Sequence, residues 1–228
     1  SVLQQTYPHW EMIIINDGSK DNSEEIVKRY LEQDSRIKLL SQANAGSAAA
    51  RNNGIRHANG RYIALLDADD VWEPIFLESQ LALMQKHNAT LVYGSHKRID
   101  ENNNECLSPF IVPEHVTYTD ILKTCSISCL TGLYDSKKYG KIYLNEEFRS
   151  LRDDHIYWLE ILKKCGEAWG NKEIIASYRI LSTSTTHNKM KVIIPQFKVY
   201  YKCEKLGLIK SIYYLMNWAF YGFLKYRK

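Results

Sequence analysis

The stretch that decides the fold runs from Arg61 to Asp70 and reads RYIALLDADD. A mostly apolar run of this length is typical of a strand buried on both faces of a sheet. The acids Asp67, Asp69 and Asp70 follow directly at its carboxyl end. A second stretch, Glu11 to Ser19 (EMIIINDGS), repeats the order of apolar strand and acidic turn. We therefore predict two buried strands that each end in carboxylates.

Helical and strand patterns alternate around these two stretches. Helices are predicted at 22–33, 48–58 and 74–87, and further strands at 36–41 and 90–93. Such alternation favours an α/β fold with an open, mainly parallel sheet flanked by helices. These sheets bind ligands at the carboxyl ends of their strands, where both acidic turns fall. Later in the chain we predict an amphipathic helix at 153–165, a strand at 174–181 and a helical extension at 191–205 and 208–225.

Composition narrows the class of protein. Hydrophobic residues make up 45% and charged residues 25% of the 228 residues, which excludes wholesale disorder. No apolar run reaches the roughly 20 residues that span a bilayer, and no secretory signal opens the chain. Five scattered cysteines indicate reduced thiols and a cytoplasmic location. The first residue is Ser1 rather than Met, so we expect that the sequence is truncated at its N-terminus.

The last segment, 188–228, is basic and aromatic. It carries nine Lys/Arg and one acid, Glu204, and 10 of the chain's aromatic residues. Its second predicted helix places Ile209, Ile212, Met216 and Phe220 on one apolar stripe. We expect this stripe to lie on the inner face of a membrane, and the alternatives are packing on the body or on a second copy in a homodimer. No nucleic-acid recognition motif accompanies the charge, so nucleic acid is not an expected partner.

Three motifs carry candidate chemistry, and each has a structural alternative. Asp67 and Asp69 point the same way along an extended chain and would supply oxygen ligands to Mg²⁺ or Mn²⁺, or else Asp69 caps a helix. Asp17 would accept hydrogen bonds from a base or ribose, or else it closes a turn. The loop before Arg51 places backbone N–H groups at a helix N-terminus, where a phosphate would bind, or else it is a plain turn.

The helix predicted at 153–165 opens with two acids. Asp154 and Trp158 are four residues apart and share a helix face. A carboxylate beside an indole ring can hold a sugar, and the same carboxylate can take a proton from an attacking hydroxyl. The alternative is that Asp153 or Asp154 caps the helix while Trp158 belongs to the core. His187 is a further, weaker metal or phosphate ligand candidate.

Taken in order, these segments resemble the inverting glycosyltransferase family 2, which has the GT-A fold. The resemblance rests on residues 7–23, 44–55 and 62–70 at the expected spacing. Residues 152–159 and 178–189 are similar to the bacterial cell-envelope members that build teichuronic acid, capsule or lipopolysaccharide. The family's first strand is absent here, and position 16 is Asn where many members have Asp.

The resemblance implies a metal-dependent transfer of a sugar, with inversion, from a nucleotide-diphosphate donor to a glycan or lipid-linked acceptor. The implied site residues are Asn16, Asp17, Arg51 and Asp67 at the nucleotide, Asp69 at the metal, Asp154 as general base, and Asp153 and Trp158 at the acceptor. Residues 1–100 would bind the donor, 101–187 the acceptor, and 188–228 would form the tail. The competing functions are a non-catalytic nucleotide-sugar or glycan-binding module and a nucleotidyltransferase. The expected location is cytoplasmic and peripheral to the membrane.

Overall fold

The computed structural model describes residues 1–148, 152–181 and 189–225. Helices and strands alternate through the first half of the chain, as the sequence predicts. The helices are α1 (Ser23–Leu31), α2 (Ser47–His57), α3 (Phe76–His87), α4 (Tyr118–Lys123), α5 (Asp153–Cys165), α6 (Lys189–Lys198) and α7 (Gly207–Lys225). The strands are β1 (Met12–Asn16), β2 (Ile37–Ser41), β3 (Tyr62–Ala64), β4 (Val71–Trp72), β5 (Leu91–Ile99), β6 (Glu105–Phe110), β7 (His115–Thr117), β8 (Leu133–Asp135) and β9 (Glu167–Arg179).

The strands form two sheets within the described residues. Strands β3, β8, β5, β9 and β4 lie side by side in that order, with β6 added to β5 and β7 added to β9. Strands β1 and β2 form a separate parallel pair. The predicted α/β class is confirmed, with mixed rather than mainly parallel pairing. Strand β9 runs parallel to β5, whereas β6 and β8 run antiparallel to it.

Strand β5 is longer than its apolar pattern predicts. It continues past Tyr93 through a polar stretch that is nonetheless mostly buried. The Ser95 hydroxyl donates to the Asn171 carbonyl at 3.0 Å, and the Arg98 guanidinium donates to the Ser108 carbonyl. Buried polar groups are tolerated where they find such partners, so a strand of this kind leaves no apolar signature in the sequence.

Helix α5 lies at the centre of the largest core cluster. Its apolar residues Ile156, Leu159 and Leu162 are buried, and so are residues on the other faces of the helix. The Trp158 ring packs directly on Gly132, where a Cβ atom would come within 2.3 Å of it. A side chain at Gly132 would therefore displace the indole, and a glycine is required for this close approach.

The tail is part of the body rather than an appendage. Its two predicted helices are confirmed as α6 and α7, joined by a π-helical turn at Val199–Cys203. Val199 and Tyr200 are completely buried in the main core, and the Tyr200 hydroxyl donates to the Leu122 carbonyl at 2.7 Å. Across the described part of the chain, no helix combines the length and apolar character needed to cross a membrane.

Candidate active site

The acidic turn lies directly after β3. The Asp70 N–H donates to the Asp67 carbonyl at 3.1 Å, which closes the turn and leaves Asp69 exposed at its tip. No N–H or O–H group of the described residues donates a hydrogen bond to the Asp69 carboxylate. A carboxylate that is exposed and unshared in this way is available to a ligand from outside the chain.

Arg51 joins this turn to the start of α5. Its guanidinium contacts Asp67 at 2.5 Å through Nη2 and Asp153 at 2.8 Å through Nη1. The Asp153 side chain is 6% exposed and also accepts a hydrogen bond from the Ser47 hydroxyl at 2.9 Å. One arginine near the start of α2 therefore fixes the distance between the acidic turn and the first turn of α5.

Asp17 holds the loop that leads into α2. Its carboxylate accepts hydrogen bonds from the Ala45 and Gly46 N–H groups, both at 2.9 Å, and from the Gln42 amide at 2.8 Å. Burial raises the pKa of Asp17, but these hydrogen bonds outweigh it and lower the pKa below its ordinary value. Gly46 has φ 92°, a left-handed value that favours glycine. Asp17 is thus an ionised anchor for the loop ahead of the α2 N-terminus.

Asn16 is used within the fold. Its amide oxygen accepts from the Ser19 N–H, and its amide nitrogen donates to Glu24, each at 2.9 Å. These contacts clasp the turn after β1 to helix α1. The sequence predicts Asn16 beside the nucleotide, whereas in the structure both ends of its amide have protein partners.

Asp154 lies at the start of α5, next to Asp153. The residue is half-buried, and its carboxylate accepts the His155 N–H at 2.8 Å. Burial raises the pKa of Asp154 above its ordinary value; Arg152 opposes this shift and the charge of Asp153 adds to it. A carboxylate with a raised pKa is a stronger base than a free one, as proton abstraction requires.

The Cys129 thiol is affected by the charges of Arg51, Asp67 and Asp154. Burial raises the pKa of its thiol well above the ordinary value; the Arg51 charge opposes this, and the Asp67 and Asp154 charges reinforce it. Asp154 is next in the sequence to Asp153, which Arg51 contacts at 2.8 Å, so Asp154 lies near the Arg51–Asp67 pair. Cys129 was missed in the sequence because a lone cysteine without a paired spacing carries no signal.

Trp158 does not form an acceptor platform. Its ring is completely buried in the core, so no face of the indole is open to a sugar. The prediction of acceptor binding by Trp158 is wrong, because helical spacing places the ring beside Asp154 but does not reveal that the main core, with Gly132 against the ring, encloses it. Asp153 is likewise almost completely buried and occupied by Arg51 and Ser47, so it positions α5 rather than contacting an acceptor.

Arg179 and Asp70 complete the site and were not assigned roles from the sequence. The Arg179 N–H donates to the Asp70 carboxylate at 2.8 Å, and its Nε donates to the Asp69 carbonyl at 2.8 Å. Burial raises the pKa of Asp70 to about 7, and the charges of Asp69 and Asp67 add to the shift. Arg179 therefore ties the end of β9 to the acidic turn. The neighbouring His187 falls outside the described residues.

A cavity of about 600 Å³ lies elsewhere on the molecule, beside β3 and α3. Tyr7, Arg61, Tyr62 and Asp135 are among its lining residues, and it shares no residue with the cluster around Arg51. The acids, the arginines and the loop before α2 form a polar cluster separate from this cavity.

The comparisons with known proteins agree with the class predicted from the sequence. Residues 1–154 match glycosyl transferase family 2. The chain is 37% identical over 221 residues to a putative teichuronic acid biosynthesis glycosyltransferase, TuaG, of Bacillus subtilis, covering 96% of this chain and 86% of TuaG. It is 38% identical over 231 residues to WfgD of Escherichia coli, a UDP-Glc:α-D-GlcNAc-diphosphoundecaprenol β-1,3-glucosyltransferase, covering 99% of this chain and 87% of WfgD.

A solved structure shows the same fold. The Staphylococcus aureus protein TarS, as residues 1–349 in complex with UDP, superimposes with a TM-score of 0.67 at 18% identity, covering 88% of this chain. This chain spans 60% of that TarS chain. The chain belongs to glycosyltransferase family 2, and both the predicted GT-A fold and the predicted glycosyltransferase class are confirmed.

Proposed function

We propose that this glycosyltransferase moves a sugar with inversion from a nucleoside diphosphate to an acceptor hydroxyl, with Asp154 as the general base. The observation that carries the proposal is the bridge from Asp67 through Arg51 to Asp153. Because Asp153 and Asp154 are adjacent, the bridge brings the acidic turn next to the proposed base. A donor held at the turn would then present its anomeric carbon towards α5.

The acidic turn fits a divalent cation. No group of three or more His, Cys, Asp or Glu side chains in the described ranges forms a metal site by itself. Mg²⁺ and Mn²⁺ at nucleotide sites commonly take one or two carboxylates and complete their shell with water and phosphate oxygens. Asp69 would hold the ion with Asp67 beside it. Burial is the main cause of the raised pKa of Asp70, and the charges of Asp69 and Asp67 add to it; this negative charge favours a cation. When bound, such an ion stabilises the negative charge of the departing diphosphate.

The chain's own residues account for the remaining chemistry. Asp17 would lie near the nucleotide base, and the loop that it anchors leads to the α2 N-terminus, where the backbone favours a phosphate. Asp154 would accept the proton of the acceptor hydroxyl as that oxygen attacks. A single displacement, with the base and the leaving group on opposite faces of the sugar, gives inversion.

The relatives support a choice of substrates. WfgD is named for a UDP-sugar donor and a diphosphoundecaprenol-linked acceptor, and TarS was solved with UDP. We therefore propose a uridine-diphosphate sugar as donor, a lipid-linked glycan as acceptor and a place in cell-envelope polysaccharide synthesis. The corresponding location is the cytoplasmic face of the membrane. Residues 1–100 would contact mainly the donor and 101–187 mainly the acceptor.

The test is Asp154→Asn assayed against a panel of UDP-sugars with lipid-diphosphate-linked acceptors. We expect turnover, followed as UDP release, to fall at least a hundredfold, while UDP binding by calorimetry stays within about twofold, because general-base removal typically costs about 10²–10⁴ in rate. Glu160→Gln is the matched control, since Glu160 lies on the same helix and pairs with Lys163 at the surface.

Two outcomes would contradict this assignment. Normal turnover by Asp154→Asn would show that Asp154 is not the base. Tight binding of a UDP-sugar by the unmodified chain, without UDP release in any acceptor reaction, would instead favour a non-catalytic binding module.

A further inference from the structure

Helix α7 presents an apolar face to solvent. The side chains of Ile209, Met216 and Phe220 are 85%, 68% and 59% exposed, and Ile212 and Tyr213 are also exposed. Their spacing of three, four and seven residues places them on one stripe. A contiguous exposed stripe of large apolar side chains indicates a binding surface, because soluble surfaces rarely carry one.

The opposite side of α7 fixes the helix to the body. Tyr214 and Leu215 pack against the main core, and Ser211 is completely buried with its hydroxyl donating to the Gly207 carbonyl at 2.6 Å. Because this side is occupied, the exposed stripe cannot turn inward without breaking those contacts. The alternative that the stripe packs on the body of the same chain is therefore wrong.

The charges beside the stripe are of one sign. Lys202, Lys205 and Lys210 are exposed around the start of α7, and the sequence after Glu204 contains no acid. Three further basic residues, Lys225, Arg227 and Lys228, follow in the sequence. Two copies facing each other across this stripe would bring basic groups together without counter-charges, which disfavours a homodimer through α7. Anionic lipid headgroups supply the missing charge and attract basic residues close to the membrane surface.

The aromatic residues fit the same partner. Tyr213 and Tyr221 are exposed on α7, and amphipathic aromatic rings favour the boundary between headgroups and acyl chains. The helix has 19 residues, and at about 1.5 Å per residue it is roughly 28 Å long. A helix of that kind, with one face packed on protein and the other apolar, lies in the plane of the membrane interface.

The helix also lies beside the proposed active site. The Arg152 guanidinium is stacked over the Trp218 ring at 4.9 Å from its centroid. Arg152 immediately precedes Asp153 and Asp154, and it has φ 70°, a left-handed value unusual for a side chain of its size. The membrane-facing helix therefore contacts the residue from which α5 begins.

We infer that the exposed face of α7 docks on an anionic bilayer, with Ile209, Met216 and Phe220 inserted at the headgroup boundary and the lysines on lipid phosphates. The inference rests on the proposed function in one respect: a lipid-linked acceptor would be delivered at this surface, next to Asp154.

The experiment is sedimentation of the full chain with vesicles of phosphatidylglycerol and phosphatidylcholine, and with vesicles of phosphatidylcholine alone. We expect binding to the anionic vesicles, weakened by salt, and at least tenfold weaker partitioning for Ile209→Glu and for Met216→Glu. The matched control is Ile26→Glu, which places the same charge at an exposed apolar position on α1. Circular dichroism tests whether each variant keeps the fold.

Three results would overturn the inference. These are equal vesicle binding by all variants, no preference for anionic vesicles, or a concentration-dependent dimer in sedimentation velocity that Met216→Glu dissociates. The proposed function is tested separately, by measuring UDP release from UDP-sugars with a detergent-solubilised acceptor. The α7 variants are expected to retain this activity. Vesicle binding without any UDP release by the unmodified chain would contradict the proposed function and leave the docking surface standing.

Discussion

Replacing Asp153 with Ala removes the carboxylate that joins α2 to α5. Arg51 contacts two carboxylates of very different exposure, with Asp153 at 6% and Asp67 at 40%. Removing one partner of a buried ion pair costs about 3–5 kcal/mol, whereas an exposed pair contributes about 0–1 kcal/mol. The two alanine variants therefore separate the structural partner of Arg51 from the solvent-facing one.

The expected loss for Asp153→Ala is about 3–4 kcal/mol of unfolding free energy. The lower half of the buried-pair range applies because Arg51 keeps Asp67 as a partner. The hydrogen bond that the Ser47 hydroxyl donates to Asp153 is also lost, at a cost of about 1 kcal/mol. For a chain of this size, 1 kcal/mol lowers the Tm by about 2–4 °C, so the Tm should fall by about 10 °C. Asp67→Ala should lower it by no more than about 4 °C.

Urea and thermal unfolding of the two variants, followed by circular dichroism, measure the difference. UDP binding, measured by calorimetry, should be weakened more by Asp67→Ala than by Asp153→Ala. The reason is that Asp67 lies at the proposed nucleotide site, although its removal has only a small effect on stability. Equal destabilisation by both substitutions would refute the reasoning, since it would mean that the burial of Asp153 contributes nothing to the bridge.

Two further predictions concern single carboxylates. Asp69→Ala should abolish the enhancement of UDP affinity by Mn²⁺ in calorimetry, with Glu105→Ala, an exposed acid on β6, as its control; an unchanged titration would reject Asp69 as the metal ligand. Glu11→Gln should lose about 1 kcal/mol of stability at neutral pH, because hydrogen bonds from Lys38 and from the Asn59 and Gly60 N–H groups outweigh burial and lower the pKa of Glu11 to about 2, while solvent screens this partly exposed group. Since that pKa is below the unfolded value of 4.5, the contribution is present above pH 4.5 and is lost as the pH falls towards 2, so a pH-independent difference in urea unfolding would argue against it.

Local chemistry determined much of this protein from its sequence. The apolar runs before Asp17 and Asp67 predicted strands, which form as β1 and β3; β1 is half-buried along its length and only Ile63 of β3 is buried. The alternation of strand and helix patterns predicted the α/β class, the ordered motifs predicted the family, and apolar periodicity predicted the helices of the tail. Asp154 remains a prediction as the base, placed by the structure near the acidic turn.

Contacts between distant segments were decided by the tertiary structure. Arg51 and Asp153 are 102 residues apart, and no pattern in either segment indicates that they pair. Trp158 and Met216 are both large apolar residues on amphipathic helices. Trp158 is completely buried, whereas Met216 is 68% exposed. Helical periodicity identifies which residues share a face, whereas the elements that pack against that face determine whether it becomes core or exposed surface.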